Sequence, residues 1–234
     1  MTNKILLGFP LYKNIPAKVF GRFLGMNKEH VMGTIMVEGV YIATSMGMMV
    51  QRALDIPGWD RLTIFEADMM PPNDALDRVA TYEPEMDIVG SMYFSHGTPH
   101  HPVVYIEQQG SFNPVTASTV RSWCQEPALY SVDAVGMGFT SIARHVLEDW
   151  PEDLSMFHSD LAVPSRFPWD DPDKASNHIG SHDLWFCKQA RSLGHSVYVD
   201  SGVICGHLTE TSTGYEHNQA FELPEDADTF AFAR

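Results

Sequence analysis

The sequence predicts an α/β protein, with a mostly parallel central sheet flanked by helices and a small antiparallel portion. Three observations carry that expectation. Short apolar runs rich in β-branched and aromatic residues recur through the first half of the chain. Between them lie stretches whose apolar residues are spaced by three and four. The third is the run Leu62-Thr63-Ile64-Phe65, which ends in Glu66-Ala67-Asp68 and is stopped by Pro71-Pro72. Strands that alternate with helices need crossover connections, and crossovers make parallel neighbours.

The elements follow in order. Residues 5–9 read as the first strand, ended by Pro10, and residues 18–24 as a helix with Val19, Phe20, Phe23 and Leu24 on one face. Residues 31–37 are β-rich and form the second strand. Residues 41–54 place Ile42, Met46, Met49, Val50 and Ala53 at helical spacing. After the strand that ends at Glu66, a short helix starts at Asn73, which is suited to cap it, with Leu76 and Val79 inward. Residues 87–94 are another strand. The second half is less regular: a strand at 103–106 among loops, a strand-like stretch at 131–142 interrupted by Gly136 and Gly138, and a short helix at 143–149. Residues 159–178, rich in Pro and Asp, read as a long loop. Ser181 opens a further helix, and two short strands at 197–199 and 203–205 lead to Gly206-His207.

The chain has 234 residues, enough for one large domain and marginal for two, and no linker or repeat divides it. Thirty acidic residues against fifteen basic give a formal charge of −15, which disfavours a broad nucleic-acid surface. Three scattered cysteines without a CxxC pair point to a reducing compartment. The short apolar run near the start reads as neither signal peptide nor membrane span, so a cytoplasmic protein is expected.

Glu66 and Asp68 carry the clearest chemistry. Side chains alternate along a strand, so both carboxylates lie on one side of its tip. Like charges there repel unless a cation sits between them or one is protonated. A hard divalent ion bound through carboxylate oxygens, with phosphates completing its shell, is the simplest explanation. For Asp68 the alternative is a helix cap; for Glu66 it is a solvated or ribose-contacting acid.

Four segments in order resemble the GT-A class of nucleotide-sugar glycosyltransferases, of a compact family-2-like type: the first strand with Phe9-Pro10-Leu11-Tyr12, FEADMMPPNDAL, VDAVGMGFTSIARHVLE, and FPWD followed by GSHDLWFCKQARSLGHSVYVDSGVICGHL. The resemblance covers most of residues 4–208. It implies one Rossmann-like GT-A domain with a nucleotide-binding half (1–94), an acceptor and catalytic half (95–208) and a tail (209–234) that closes as a lid or stays mobile. It implies a metal-dependent transfer of a sugar from a nucleoside-diphosphate sugar to a hydroxyl of a glycan, protein or modified DNA base. The ion, Mn²⁺ or Mg²⁺, would be held by Asp68 and His207 with Glu66 close by; one imidazole tilts the choice towards Mn²⁺. Pro10 and Tyr12 would contact base and ribose, Gly136 and Gly138 would admit the donor sugar, and Asp133 would hold its hydroxyls. Three departures stand out: Glu66 replaces the usual aspartate, His182 replaces an acid before Asp183, and Ser45-Met46-Gly47 replaces Ala-Arg-Asn.

Asp183 is the candidate general base for an inverting transfer. Its alternative is a first-turn carboxylate held there by the helix dipole, which also weakens it as a base. Trp185 and Trp169 are either sugar-stacking platforms or buried aromatics. The segment from Ser95 to His101 invites a zinc reading, but it lacks HExxH spacing and a nearby cysteine and reads as a solvated loop. Two other functions compete: a non-catalytic nucleotide-sugar or carbohydrate-binding protein on the same scaffold, and a sugar nucleotidyltransferase, which wants a basic glycine-rich loop where Phe9-Pro10-Leu11-Tyr12 stands.

Overall fold

The computed structural model describes residues 2–11, 14–39, 41–96, 100–152, 156–157, 181–211 and 214–218, the last two segments beyond residue 208 through the backbone only. The elements are β1 (Ile5–Leu11), α1 (Ala17–Gly25), β2 (Val31–Glu38), α2 (Ile42–Leu54), β3 (Arg61–Phe65), β4 (Met69–Met70), α3 (Ala75–Ala80) and β5 (Ile88–Met92). There follow β6 (Val104–Gln108), β7 (Ser111–Pro114), α4 (Ala117–Gln125), β8 (Leu129–Ser131), β9 (Ala134–Val135), β10 (Phe139–Ala143) and α5 (Arg144–Glu148). The chain continues with α6 (His182–Ser192), β11 (Val197–Ile204), β12 (Gly206–Thr211) and β13 (Gly214–Asn218).

Seven strands form the central sheet in the order β2-β1-β3-β10-β5-β11-β8. β2, β1, β3, β5 and β11 point one way; β10 and β8 run against them. The sheet is therefore mostly parallel, and two three-stranded antiparallel sheets flank it. This is the α/β architecture expected from the sequence.

Strand alternation sorts the core into two layers. Leu6, Leu62, Ile64, Ile88, Met92, Val197 and Val199 face one side, where α2 seats Met46, Met49, Val50 and Ala53. Ile5, Leu7, Phe9, Val89 and Val203 face the other, under Val19, Leu76 and Val79 of α1 and α3. Burying both faces explains why the inner strands read as continuous apolar runs.

Several expectations need correction. Pro10 does not end the first strand; it is buried inside β1, opposite Val37. The next carbonyl, Leu11 O, accepts from Gly39 N on the β2 side, so the Pro10 nitrogen faces the β3 side, where pairing has already stopped at Gly8. No ladder bond is lost. On α1 only Val19 is buried, while Phe20 and Leu24 are exposed by half or more. Asn73 does not cap α3: Asp74 is at that position, and the Asn73 side chain accepts instead from Arg22. β7 and α4 occupy ground read as loop. The two strands expected at 197–205 are one, and the tail begins as the hairpin β12–β13. The loop expected at 159–178 lies outside the described residues, as do Tyr12, Trp169 and residues 219–234.

Candidate metal centre

The carboxyl ends of the parallel strands gather the predicted acids. Glu66 follows β3 directly, its N–H bonded to Gly138 O. Two residues on, β4 pairs antiparallel with β12, setting His207 opposite Met69, and Leu208 N–H donates to Asp68 O. That backbone pairing brings Asp68 and His207 together across the sequence: His207 Nε2 lies 3.5 Å from Asp68 Oδ2. Sequence reasoning dismissed a third participant. His96, two residues past the Phe94 bridge that follows β5, puts Nε2 3.3 Å from the same oxygen and its ring 3.5 Å from that of His207. His96 is an exposed loop residue, as expected for Ser95–His101, and joins Asp68 and His207 as a candidate ligand, while the His100 and His101 Nδ1 atoms bond back to Ser95.

The hydrogen bonding of His207 decides what lies between these groups. His207 Nδ1 is 2.7 Å from Phe94 O, and a carbonyl can only accept, so Nδ1 carries a proton. Neutral His207 then presents a lone pair at Nε2 to a carboxylate, which is repulsive. A proton or a cation must sit there. Burial alone would lower the His207 pKa, but Asp68, the Phe94 carbonyl and Glu66 outweigh it and raise it. Burial works on Asp68 in the opposite direction, yet His207 and His96 hold its carboxyl well below the usual range. Glu66 is pushed up to about 8, first by burial and then by Asp68 and Asp183. Asp68 Oδ1 is buried without a hydrogen-bond partner among the described residues. An orphaned carboxylate oxygen, two imidazoles and a neighbouring acid fit a divalent cation. The second imidazole moves the preference further from Mg²⁺.

Asp183 stands in the first turn of α6, after Ser181, whose side chain caps the helix by accepting from Leu184 N. Its carboxylate raises the pKa of Glu66, Tyr93 and Tyr105, so it lies within electrostatic reach of all three. His182, the residue that departs from the expected acid, puts Nε2 2.6 Å from Asp183 Oδ1. Burial would lower the His182 pKa; Asp183 outweighs it and raises it. Trp185 is half-buried on the same helix.

Other predicted residues are committed elsewhere. Asp133 accepts from Glu107 N–H at 2.7 Å and pairs with Arg191 at 2.7 Å, so its carboxylate is already engaged by protein. Pro10 is buried within β1 rather than presented on an exposed turn. At Gly136 an added Cβ would stand 2.0 Å from Tyr93 Oη, and at Gly138 2.7 Å from Met69 Sδ. Protein side chains, not open space for a sugar, fill the room those glycines leave.

No protein-family model and no curated protein matches the sequence. The fold is similar to that of A197 from STIV, with a TM-score of 0.57 and 14% identity over 92% of this chain and 93% of that one. A looser alignment, with a TM-score of 0.49 and 8% identity, joins 88% of this chain to 44% of GalNAc-T7 in its structure with UDP, GalNAc and Mn²⁺. Similarity at such identities describes the fold alone. Among the described residues no helix is long and apolar enough to cross a membrane.

Proposed function

We propose that this chain is a metal-dependent glycosyltransferase that moves a sugar from a nucleoside-diphosphate sugar to an acceptor hydroxyl. One observation carries the reading: Asp68, His96 and His207 converge at the carboxyl end of a mostly parallel sheet, with an orphaned carboxylate oxygen beside them, in an arrangement able to hold a cation. Clefts outside the carboxyl ends of such strands are where ligands of α/β sheets bind. The ordered motif resemblance supplies the reaction class.

In this reading Asp68, His96 and His207 hold Mn²⁺, and Glu66 sits beside it as an outer acid. The bound ion supplies charge neutralisation for a departing diphosphate. Asp183 accepts the proton of the acceptor hydroxyl, and His182 fixes the orientation of that carboxylate through the 2.6 Å contact. Buried Tyr93 packs edge-on against the His207 ring at 5.3 Å.

The same His182–Asp183 contact favours the second reading, a protein that binds the donor without turning it over, because a carboxylate already paired to an imidazole is a weaker base. A thermal-shift screen of nucleotide sugars with and without Mn²⁺, followed by donor hydrolysis and transfer assays, separates the two. The enzyme reading expects a Mn²⁺-dependent shift with one donor class and turnover lost in Asp68→Ala. Binding without turnover supports the second reading. If no nucleotide sugar binds with Mn²⁺, both readings are wrong.

A further inference from the structure

The opposite end of the sheet holds a second group of metal-capable side chains. Asp87 immediately precedes β5, His195 lies just before β11, and His145 is on α5 after the antiparallel β10. Strand directions therefore bring all three to the amino ends of the parallel strands, away from Asp68. Their donor atoms lie within 4.8 Å of one another. His145 Nε2 is 2.6 Å from Asp87 Oδ1, and His195 Nδ1 is 3.9 Å from Asp87 Oδ2.

We propose that Asp87, His145 and His195 form a second divalent-metal site, with a preference for Zn²⁺ over Mg²⁺ or Ca²⁺, that clamps α5 to the starts of β5 and β11. Two independent features point to a ligand. The His195 ring is 91% buried by its side-chain exposure of 9%. Its Nδ1 faces Asp87 from beyond hydrogen-bond range. A buried imidazole facing a carboxylate without touching it leaves space that an ion with bonds of ~2.0–2.1 Å closes by small side-chain rotations.

The second feature is the set of bonds on the carboxylate. Asp87 Oδ2 accepts from Ser196 N at 2.7 Å and Ser196 Oγ at 2.9 Å. Outer hydrogen bonds of this kind fix the orientation of a ligating carboxylate. With His145 on Oδ1, these bonds use three of the roughly four acceptor sites of an ionised carboxylate and leave one, on Oδ1. Two imidazoles and one carboxylate suit Zn²⁺ and similar borderline ions, whereas Mg²⁺ and Ca²⁺ want oxygen. His145 is 47% exposed, so the fourth position opens to water.

The site does not depend on the proposed glycosyltransferase reading, and its failure would leave that reading untouched. The test uses the full chain carrying Asp68→Ala, which removes the shared oxygen of the other centre; His96→Ala is the alternative background if that variant does not fold. After chelator treatment, Zn²⁺ is titrated calorimetrically and Co²⁺ is followed by visible absorption. The expected result is one equivalent of Zn²⁺, a rise in Tm, and Co²⁺ bands of a four-coordinate site. Adding His145→Ala, a change at an exposed side chain, weakens Zn²⁺ at least about tenfold and removes the Tm rise. No Zn²⁺ bound in the Asp68→Ala background, or unchanged affinity after His145→Ala, overturns the proposal.

Discussion

Gly136→Ala separates two accounts of the glycine-containing strand. If Gly136 exists to admit a donor sugar, the new methyl group blocks the ligand and spares the fold. The structure predicts the reverse. The added Cβ would lie 2.0 Å from Tyr93 Oη and 2.5 Å from Val103 Cγ1. Tyr93 is buried to 4% exposure, and its hydroxyl accepts the Gly138 N–H at 3.2 Å, so the ring cannot retreat without breaking that bond. Overpacking of a tight core costs about 1–3 kcal/mol, and leaving a buried donor unpaired adds about 1–3 kcal/mol. For a chain of this size each kcal/mol moves Tm by about 2–4 °C, so Gly136→Ala lowers Tm by about 4–24 °C. Tyr93→Phe removes the nearest clashing atom, and the double variant is therefore more stable than the sum of the single effects by about 1 kcal/mol or more. Circular-dichroism melts of the four proteins measure this. A Gly136→Ala protein that melts within about 1 °C of the parent, below the smallest shift expected, yet no longer binds nucleotide sugar would refute the packing account.

Three further outcomes follow from the metal centre. His96→Ala lowers Mn²⁺ affinity by about 10–100-fold, the range for loss of a supporting partner at a metal site; titration calorimetry reads it, and an unchanged affinity would demote His96 to a loop residue. Asp183→Asn lowers turnover by about 10²–10⁴-fold while Mn²⁺ affinity stays within error, which steady-state kinetics and calorimetry together check. Metal-free protein loses stability as pH rises from 4.5 to about 8, because Glu66, raised across that span, keeps its proton in the folded state only, and above the ordinary histidine value the raised His207 adds a contribution that fades as its ring deprotonates; Glu66→Gln flattens that loss and saturating Mn²⁺ offsets it, both measurable as Tm against pH.

What the sequence disclosed was local, and what it hid was not. The α/β pattern could be read because each inner strand is a compact apolar run, and α2 repeats its buried residues every turn. Asp68 and Glu66 were visible because two acids end a buried strand. His96 was not, because its partners come from β4 and β12 and no fixed spacing ties SHGTPHH to either. Pro10 misled for the opposite reason: the rule that proline ends a strand holds where a neighbour needs the N–H, and β3 had already ended. Gly136 and Gly138 could be noticed, but a sequence shows that space is needed and not what fills it, here Tyr93 and Met69 on the side where a Cβ would stand. The α4 helix was missed because its apolar face is thin, with Ala117 and Val120 its buried residues and Thr116 its cap.

The overall charge bears on how a donor could bind at all. A chain with a formal charge of −15 repels an anionic nucleotide sugar at long range. Asp68 and Asp183 add to this, and both raise the pKa of Glu66. Two imidazoles offset part of that field, and at neutral pH only while they carry protons. Under the proposed reading a divalent ion on Asp68, His96 and His207 therefore does more than polarise a bond, because without it the site opposes its own substrate. Donor and cation should then bind with strong mutual enhancement, and linkage requires each to strengthen the other by the same factor. A site that bound the donor equally well with and without the cation would need another source of positive charge in the cleft. Among the described residues of α6, Arg191 is already paired to Glu107 and Asp133, Lys188 lies 4.0 Å from Glu107, and His182 is matched by Asp183. Under the proposed reading, the acidity of the chain makes metal dependence a condition for donor binding and not only for chemistry.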